Sequence, residues 1–136
     1  MRLDELGFYH RHDKSFHMKR PDGTGDWLLL AIHTESRFTT PDGVRRLPKG
    51  AFMIYTPFTP QDYGAADTEY IDDWIHFEPD ESERALMEEL SLPLNTPVPT
   101  AGLSGCSEII KRMCHEFYSE NSFRSESADL CFRLLL

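Results

Sequence analysis

The amino-acid sequence predicts a mainly β domain, an antiparallel sandwich or barrel, followed by α-helices. Short apolar runs alternate with turns that contain glycine or proline at intervals of about ten residues, which is typical of closed antiparallel structures. After Pro79 the apolar residues recur every three to four positions instead of every second one, which indicates helices. The 136 residues suffice for one domain with its own core.

The first 19 residues mix charged, aromatic and histidine side chains without a sustained period. We therefore predict a peripheral arm with one short strand near Ser15–Lys19. His10 and His12 have the H-x-H spacing of metal ligands, but no acidic residue follows them at a useful spacing. We interpret the pair as solvated side chains.

Two turns organise the next segment. The turn Arg20-Pro21-Asp22-Gly23 precedes a strand from Trp27 to Thr34, which is apolar on both faces for most of its length, as expected when both sides of a strand are covered. The turn Pro41-Asp42-Gly43 folds Arg37–Thr40 back against Val44–Leu47. The second pair therefore forms a β-hairpin.

The stretch from Leu47 to Pro79 has the strongest strand signals and most of the polar groups that could contact a ligand. Ala51–Tyr55 forms a strand, which Pro57 and a second proline end in a loop, since proline has no N–H to donate to a ladder. From Tyr70 the residues alternate between an apolar and a polar face. The polar face consists of Asp72, Trp74, His76 and Glu78. Unpaired polar groups in a core cost about 1–3 kcal/mol each, so this face is solvated or lines a cavity.

The remaining elements are helical. Asp80, Glu81 or Ser82 can cap a short helix that runs to about residue 90, and the prolines within residues 91–100 require an extended segment. A longer helix begins at Ser104 or Ser107, and its apolar stripe either packs on the barrel or forms a subunit interface. A last helix from about residue 125 reaches Leu136 without a terminating signal, so we expect the protein to continue.

Composition excludes several classes of function. The formal net charge of -9 opposes direct binding of a phosphate backbone, which depends on lysine and arginine. The longest apolar run, Trp27–Ile32, is far shorter than the roughly 20 residues of a membrane span, and the N-terminus has no signal-peptide pattern. The 3 cysteines lack paired spacing, which indicates reduced thiols. We expect a cytoplasmic protein without a membrane partner.

Four motifs occur in order along the chain: Arg20-Pro21-Asp22-Gly23 before Asp26-Trp27-Leu28-Leu29-Leu30, Leu47-Pro48-Lys49-Gly50 before Phe52-Met53-Ile54-Tyr55, Thr56-Pro57-Phe58-Thr59-Pro60-Gln61-Asp62-Tyr63, and Trp74-Ile75-His76-Phe77 before a helix. Together they resemble the N-terminal ligand-binding and dimerisation domain of AraC-family transcription regulators. The resemblance covers nearly all residues from about Ser15 to the end. It implies a cupin-like antiparallel β-barrel, or jelly roll, followed by two or three α-helices.

The same resemblance implies a domain organisation and a set of partners. Residues 1–100 would form the effector-binding barrel with its N-terminal arm, and residues 101–136 a helical dimerisation and linker segment. A homodimer would form through the helix at 104–119, and DNA would be bound only by a C-terminal domain beyond this chain. The implied function is effector sensing by a transcription regulator, without catalytic residues, metal or cofactor.

Carried over by position, the family's ligand contacts fall on Arg20, Tyr63, Asp72 and Trp74. A guanidinium offers a fork of donors, an indole packs on the apolar face of a sugar ring, and a phenol donates or accepts. Asp72 stands where the sugar-binding pattern has histidine. We therefore expect a polyhydroxylated, carbohydrate-like effector that can differ from arabinose.

Two alternatives belong to other classes of function. The same kind of barrel can hold a catalytic metal on three histidines and an acid. Metal-dependent cupin enzymes place histidines where this chain has Gln61 and Arg37–Thr40, which argues against that class. A barrel filled by Trp74 and other aromatic residues would instead be a structural dimerisation module. His33 and His76 we interpret as buried histidines bonded to backbone.

Overall fold

A computed structural model describes residues 1–118. They form two antiparallel sheets and two helices, with 44% of residues in strands and 20% in helices. The strands are β1 (Arg2–His12), β2 (His17–Arg20), β3 (Trp27–Ile32), β4 (Ser36–Thr40), β5 (Gly43–Leu47), β6 (Ala51–Tyr55), β7 (Gln61–Ala65), β8 (Tyr70–Glu78) and β9 (Val98–Pro99), and the helices are α1 (Glu81–Glu89) and α2 (Leu103–Phe117). The predicted cupin-like, mainly β fold is confirmed.

The two sheets enclose an apolar interior. One sheet has the strand order β1-β8-β3-β6-β9 and the other β2-β7-β4-β5. Strand β3 lies inside the first sheet and is buried on both faces, as its sequence predicts. Leu28 and Leu30 point into the interior cluster, and Leu29 and Ala31 point to a second cluster on the outer face.

Helix α2 covers that outer face. Its buried residues Leu103, Ile110 and Met113 belong to the same cluster as Leu29 and Phe77 of the sheet. The apolar stripe of this helix therefore packs on the barrel, which was one of its two expected roles. A subunit interface through another edge of the helix stays a prediction.

The N-terminal segment is a strand and not the predicted peripheral arm. Strand β1 pairs antiparallel with β8 along its length, and Leu6 is only 2% exposed. The register shifts between Gly7 and His10, where Tyr9 has a φ of 53°. A bulge of this kind breaks the alternation of period two from which a strand is predicted. The strand predicted near residues 15–19 is confirmed as β2.

Strand β7 occupies a segment that was predicted to be loop. Its first residue, Gln61, directly follows Pro60, so the proline precedes the ladder and interrupts none of its hydrogen bonds. The strand pairs with β2 on one side and β4 on the other. Tyr63 lies at its centre, 4% exposed. The predicted hairpin of β4 and β5 is confirmed.

Helix α1 begins with the predicted cap. The Asp80 carboxylate accepts from the N–H of Glu83 at 2.8 Å, and the Glu83 side chain accepts from the N–H of Asp80 at 2.9 Å, which completes a capping box. Helix α2 begins at Leu103, one residue before the predicted start at Ser104, and has no side-chain cap. The predicted last helix, with Cys131, lies outside the described residues. No helix within residues 1–118 has the length and apolarity to cross a membrane.

Candidate functional site

A cavity of about 250 Å³ lies between the two sheets, bounded by β1, β8 and β3 on one side and by β2 and β7 on the other. The residues that line it are Glu5, His10, His12, Phe16, Met18, Arg20, Leu28, Tyr63, Asp72, Trp74 and His76. All four residues predicted to contact a ligand, Arg20, Tyr63, Asp72 and Trp74, are among them. The barrel is therefore not filled at this end.

The polar face of β8 faces this cavity. Asp72, Trp74 and His76 are alternate residues of one strand and all three line the cavity, as the sequence pattern predicts. The Trp74 indole packs against Gly7 of the neighbouring strand. A Cβ atom at Gly7 would lie 2.5 Å from the ring, so glycine at this position makes room for the indole.

Asp72 is the most deeply buried charged group of the cavity, with 3% exposure. The Tyr70 hydroxyl donates to its Oδ2 at 3.0 Å, whereas Oδ1 has no hydrogen-bond partner among residues 1–118. Burial raises the pKa of Asp72 to about 7; the Tyr70 hydrogen bond opposes this rise and Asp73 adds to it. At neutral pH the carboxyl group is therefore present in both protonation states, and Oδ1 is free to meet a ligand.

Arg20 and Tyr63 form the opposite wall. Nη1 of Arg20 donates to Oε1 of Gln61 at 2.9 Å, and Gln61 is 1% exposed. Burial raises the pKa of the Tyr63 hydroxyl, and the nearby Arg20 guanidinium opposes that rise. Gln61, the position at which metal-dependent cupin enzymes place a histidine, thus orients the arginine. The other donors of the guanidinium can reach a ligand oxygen.

Sequence reasoning missed two histidines of β1 as candidate ligand contacts. His10 and His12 point to the same side of the strand, and the antiparallel register places His10 directly opposite Asp72. One potential ligand atom from each of these three residues lies within 4.8 Å of the others. The acid that the H-x-H pair lacks along the sequence comes from β8. Partial burial, together with His10, lowers the pKa of His12, which favours its neutral form.

His33 and His76 are bonded to carboxylates, and not to backbone as expected. Nδ1 of His76 lies 3.0 Å from Oδ1 of Asp26. Nε2 of His33 lies 2.9 Å from Oδ2 of Asp73, which is fully buried. The sequence signal for the second contact was Asp73 itself, an acid on the otherwise apolar face of β8.

Asp73 also connects β1 to helix α2. Its Oδ1 accepts from the N–H of Tyr9 at 2.7 Å, and its Oδ2 accepts from the Ser107 hydroxyl at 2.8 Å. Ser107 and Asp73 both approach Nε2 of His33, so the three side chains do not have the relay order of a catalytic triad, in which the acid and the serine meet opposite ring nitrogens. The arrangement is a buried polar network between the bulge of β1 and the outer helix.

Comparison with known proteins finds similar structures but no similar sequence. No protein-family model and no curated protein matches the sequence. The structure is similar to that of ToxT from Vibrio cholerae, an AraC-family regulator, with 12% sequence identity and a TM-score of 0.56 over 98% of this chain and 54% of that chain. A de novo designed double-stranded β-helix aligns with 54% of this chain and 100% of its own, at 11% identity and a TM-score of 0.40.

The likeness to ToxT shows that the two chains share a cupin-type β fold. This chain spans about half the length of ToxT, 54%.

Proposed function

We propose that this chain is the effector-sensing and dimerisation domain of an AraC-type transcription regulator, and that a small carbohydrate-like ligand binds in the cavity between β1, β2 and β8. The observation that carries the proposal is the convergence of Arg20, Tyr63, Asp72 and Trp74 on one cavity in which a buried carboxylate oxygen has no partner within residues 1–118. Buried polar atoms are otherwise nearly always paired. A ligand hydroxyl would supply the missing donor.

The cavity's chemistry supports a small oxygen-rich ligand. Its volume of about 250 Å³ lies just below the range of drug-sized pockets, which begins at about 300 Å³. The indole of Trp74 offers an apolar face, the Arg20 guanidinium offers donors, and the Asp72 carboxyl accepts or donates according to its protonation. These groups match a sugar or a sugar acid, which combines hydroxyl edges with apolar C–H faces.

The polar network suggests how occupancy is transmitted. Glu5, His10 and His12 bring β1 into contact with the cavity, and the N–H of Tyr9 beside them is bonded to Asp73. Because Asp73 also accepts from Ser107, a shift of the β1 bulge changes a contact of α2. Since residues 2–12 form a paired strand, we propose that the ligand biases the position of β1 and does not order an irregular arm.

We also propose the remaining parts of the regulator. The net charge of -9 supports DNA contact through another domain and not through this one. A cytoplasmic homodimer that uses α2 agrees with this role. Gln61 and the β4 segment Arg37–Thr40 stand where metal-dependent cupin enzymes have histidines, which supports binding over catalysis.

Thermal unfolding with a panel of L-arabinose, D-galactose, D-glucose, D-galacturonate and D-glucuronate tests the ligand site. A ligand at about 100 times its dissociation constant stabilises the folded state by about 2.7 kcal/mol. We expect at least one compound to raise the melting temperature of the wild type and to lose this effect in Trp74→Ala. Phe58→Ala, at an aromatic residue that is 79% exposed and outside the cavity, is the matched control.

Two outcomes contradict the proposal. In one, no member of the panel stabilises the wild type. In the other, the shift is the same in Trp74→Ala as in Phe58→Ala, which would place the ligand elsewhere.

A further inference from the structure

We propose that His10, His12 and Asp72 form a binding site for one divalent transition-metal ion at the solvent side of the cavity. The site is separate from the four predicted sugar contacts except for Asp72. It does not depend on the regulatory function, because metal binding can be measured without sugar or DNA.

The geometry of the strands brings the three residues together. His10 and His12 are two positions apart on β1 and share one face, and their ring centroids are 4.3 Å apart. His10 is directly opposite Asp72 in the antiparallel ladder of β1 and β8. One potential ligand atom from each side chain falls within 4.8 Å of the others. Ligand bonds of about 2.0–2.2 Å to a shared tetrahedral ion require separations of about 3.3–3.6 Å, so the side chains close by roughly 1 Å when the ion binds.

Surrounding contacts hold two of the three ligands in place. The His12 ring stacks on Phe16 at a centroid distance of 4.0 Å and an interplanar angle of 17°. The Tyr70 hydroxyl donates to Oδ2 of Asp72 and leaves Oδ1, which is buried and has no partner in the described part of the chain. Metal-binding carboxylates are typically hydrogen-bonded in this manner by a neighbouring group. The same unpartnered oxygen supports the sugar site, and here it is the second indication of a ligand besides the clustering of the three side chains.

The donor set indicates the class of metal. Two imidazole nitrogens and one carboxylate oxygen suit zinc, iron, nickel or copper, whereas calcium and magnesium prefer oxygen ligands throughout. Three protein ligands leave at least one coordination position open. Because His10, His12 and Asp72 all line the cavity, an oxygen atom of the cavity's ligand can complete the coordination.

Trp74 provides a spectroscopic signature of metal binding. Its indole N–H donates to Nδ1 of His10 at 3.4 Å. A neutral imidazole has one acceptor nitrogen and one N–H. If the metal binds Nδ1 of His10, the lone pair of Nδ1 is used for coordination. If the metal binds Nε2, the hydrogen of the neutral ring is on Nδ1. In both cases the indole loses this acceptor, so its fluorescence must change.

Calorimetric titration of the metal-stripped full chain with Zn²⁺ tests the site. We expect one equivalent to bind to the wild type, and a loss in affinity of about 100-fold or more in His12→Gln and in Asp72→Asn, since changes outside the first coordination shell already cost 10–100-fold. His115→Gln, at an exposed histidine of α2, is the matched control and should bind as the wild type does. Circular dichroism verifies that each variant is folded. Two variants of metal ligands are used so that the test can still be made if one of them does not fold.

Fluorescence separates this site from other zinc ligands on the surface. We expect Zn²⁺ to change the tryptophan emission of the wild type and of His115→Gln, and Trp74→Phe to bind Zn²⁺ without that change. The inference is wrong if no stoichiometric Zn²⁺ binds, or if both His12→Gln and Asp72→Asn bind it as tightly as the wild type. Such a result would leave the sugar site untouched, just as a failed sugar panel would leave the metal site untouched.

Discussion

Asp72 shows at the scale of one residue what the cavity costs the fold. Desolvation makes its ionised form unfavourable in the folded chain and raises the pKa to about 7, against 3.8 for an ordinary aspartate. At pH values between 3.8 and about 7, the Asp72 carboxyl group is protonated in the folded state and ionised in the unfolded state. Ionisable groups with strongly perturbed pKa values cluster at functional sites, which agrees with a ligand or metal ion at Asp72.

This penalty predicts a specific dependence of stability on pH. As the pH rises from about 4 to about 7, the free energy of unfolding of the metal-stripped wild type should fall, because the proton stabilises only the folded state over this range. Asp72→Asn lacks the titrating group, so its stability should fall less. Urea unfolding of both proteins at several pH values, with a chelator present, measures the difference. Parallel curves for the two proteins would show that the carboxyl group is not perturbed.

Gly7 provides a second test at a single residue. Adding a Cβ atom in Gly7→Ala forces it to within 2.5 Å of the Trp74 indole, which must move out of its position. We expect the affinity for a stabilising sugar to fall by about tenfold, equal to about 1.4 kcal/mol, while the fold is retained. Gly105→Ala is the control, because a Cβ atom there meets nothing within 4 Å. Equal affinities in the two variants would mean that the indole does not contact the ligand.

At the scale of elements, the buried network around Asp73 determines how α2 sits on the barrel. A fully buried carboxylate that accepts from β1 and α2 joins two elements that also share an apolar cluster. Apolar packing alone tolerates small displacements, whereas hydrogen bonds to a buried charge fix a register.

Ser107→Ala tests this contact. Loss of a hydrogen bond to a buried charged group should lower the free energy of unfolding by about 1.5–3 kcal/mol. Ser104→Ala, on the exposed side of the same helix, should change it by less than about 0.5 kcal/mol. Chemical denaturation measures both values. If the two substitutions cost the same, the network does not hold the helix, and transmission through it is excluded.

The strands illustrate what local sequence pattern can and cannot predict. Strands β3 to β6 and β8 follow from their apolar runs and turns, and α1 follows from its capping residues, because each signal lies within the element itself. Strand β1 was missed because its bulge at Tyr9 breaks the alternation. Strand β7 was missed because Pro60 stands immediately before it. At that position the proline interrupts no hydrogen bond of the ladder.

At the scale of the whole molecule, the site is a product of topology. The family resemblance and the polar face of β8 predict Arg20, Tyr63, Asp72 and Trp74 as ligand contacts, and all four line one cavity. The histidine pair has no acid at a metal-ligand spacing in the sequence, yet β8 pairs with β1 and places Asp72 opposite His10. His10 and Asp72 lie on two strands that are far apart in the sequence. Their pairing therefore cannot be predicted from neighbouring positions of the chain.

The whole molecule also offers a competing location for a ligand. A second groove is lined by residues of β2, β4, β6 and β7 and of the segment before β9, among them Thr39, Tyr55 and Thr96. It lacks Trp74 and Asp72. A ligand in that groove would have no route through β1 to the Asp73 network.

If the effector binds between β1, β2 and β8, the amide chemical shifts of these strands in ¹H–¹⁵N spectra change when it is added. Titration of the full chain with the sugars and sugar acids of the panel should shift the amides around His12, Met18 and Trp74 most strongly. Shifts confined to the second groove around Thr39, Tyr55 and Thr96, or no shift in any cavity residue with any compound, would contradict the account.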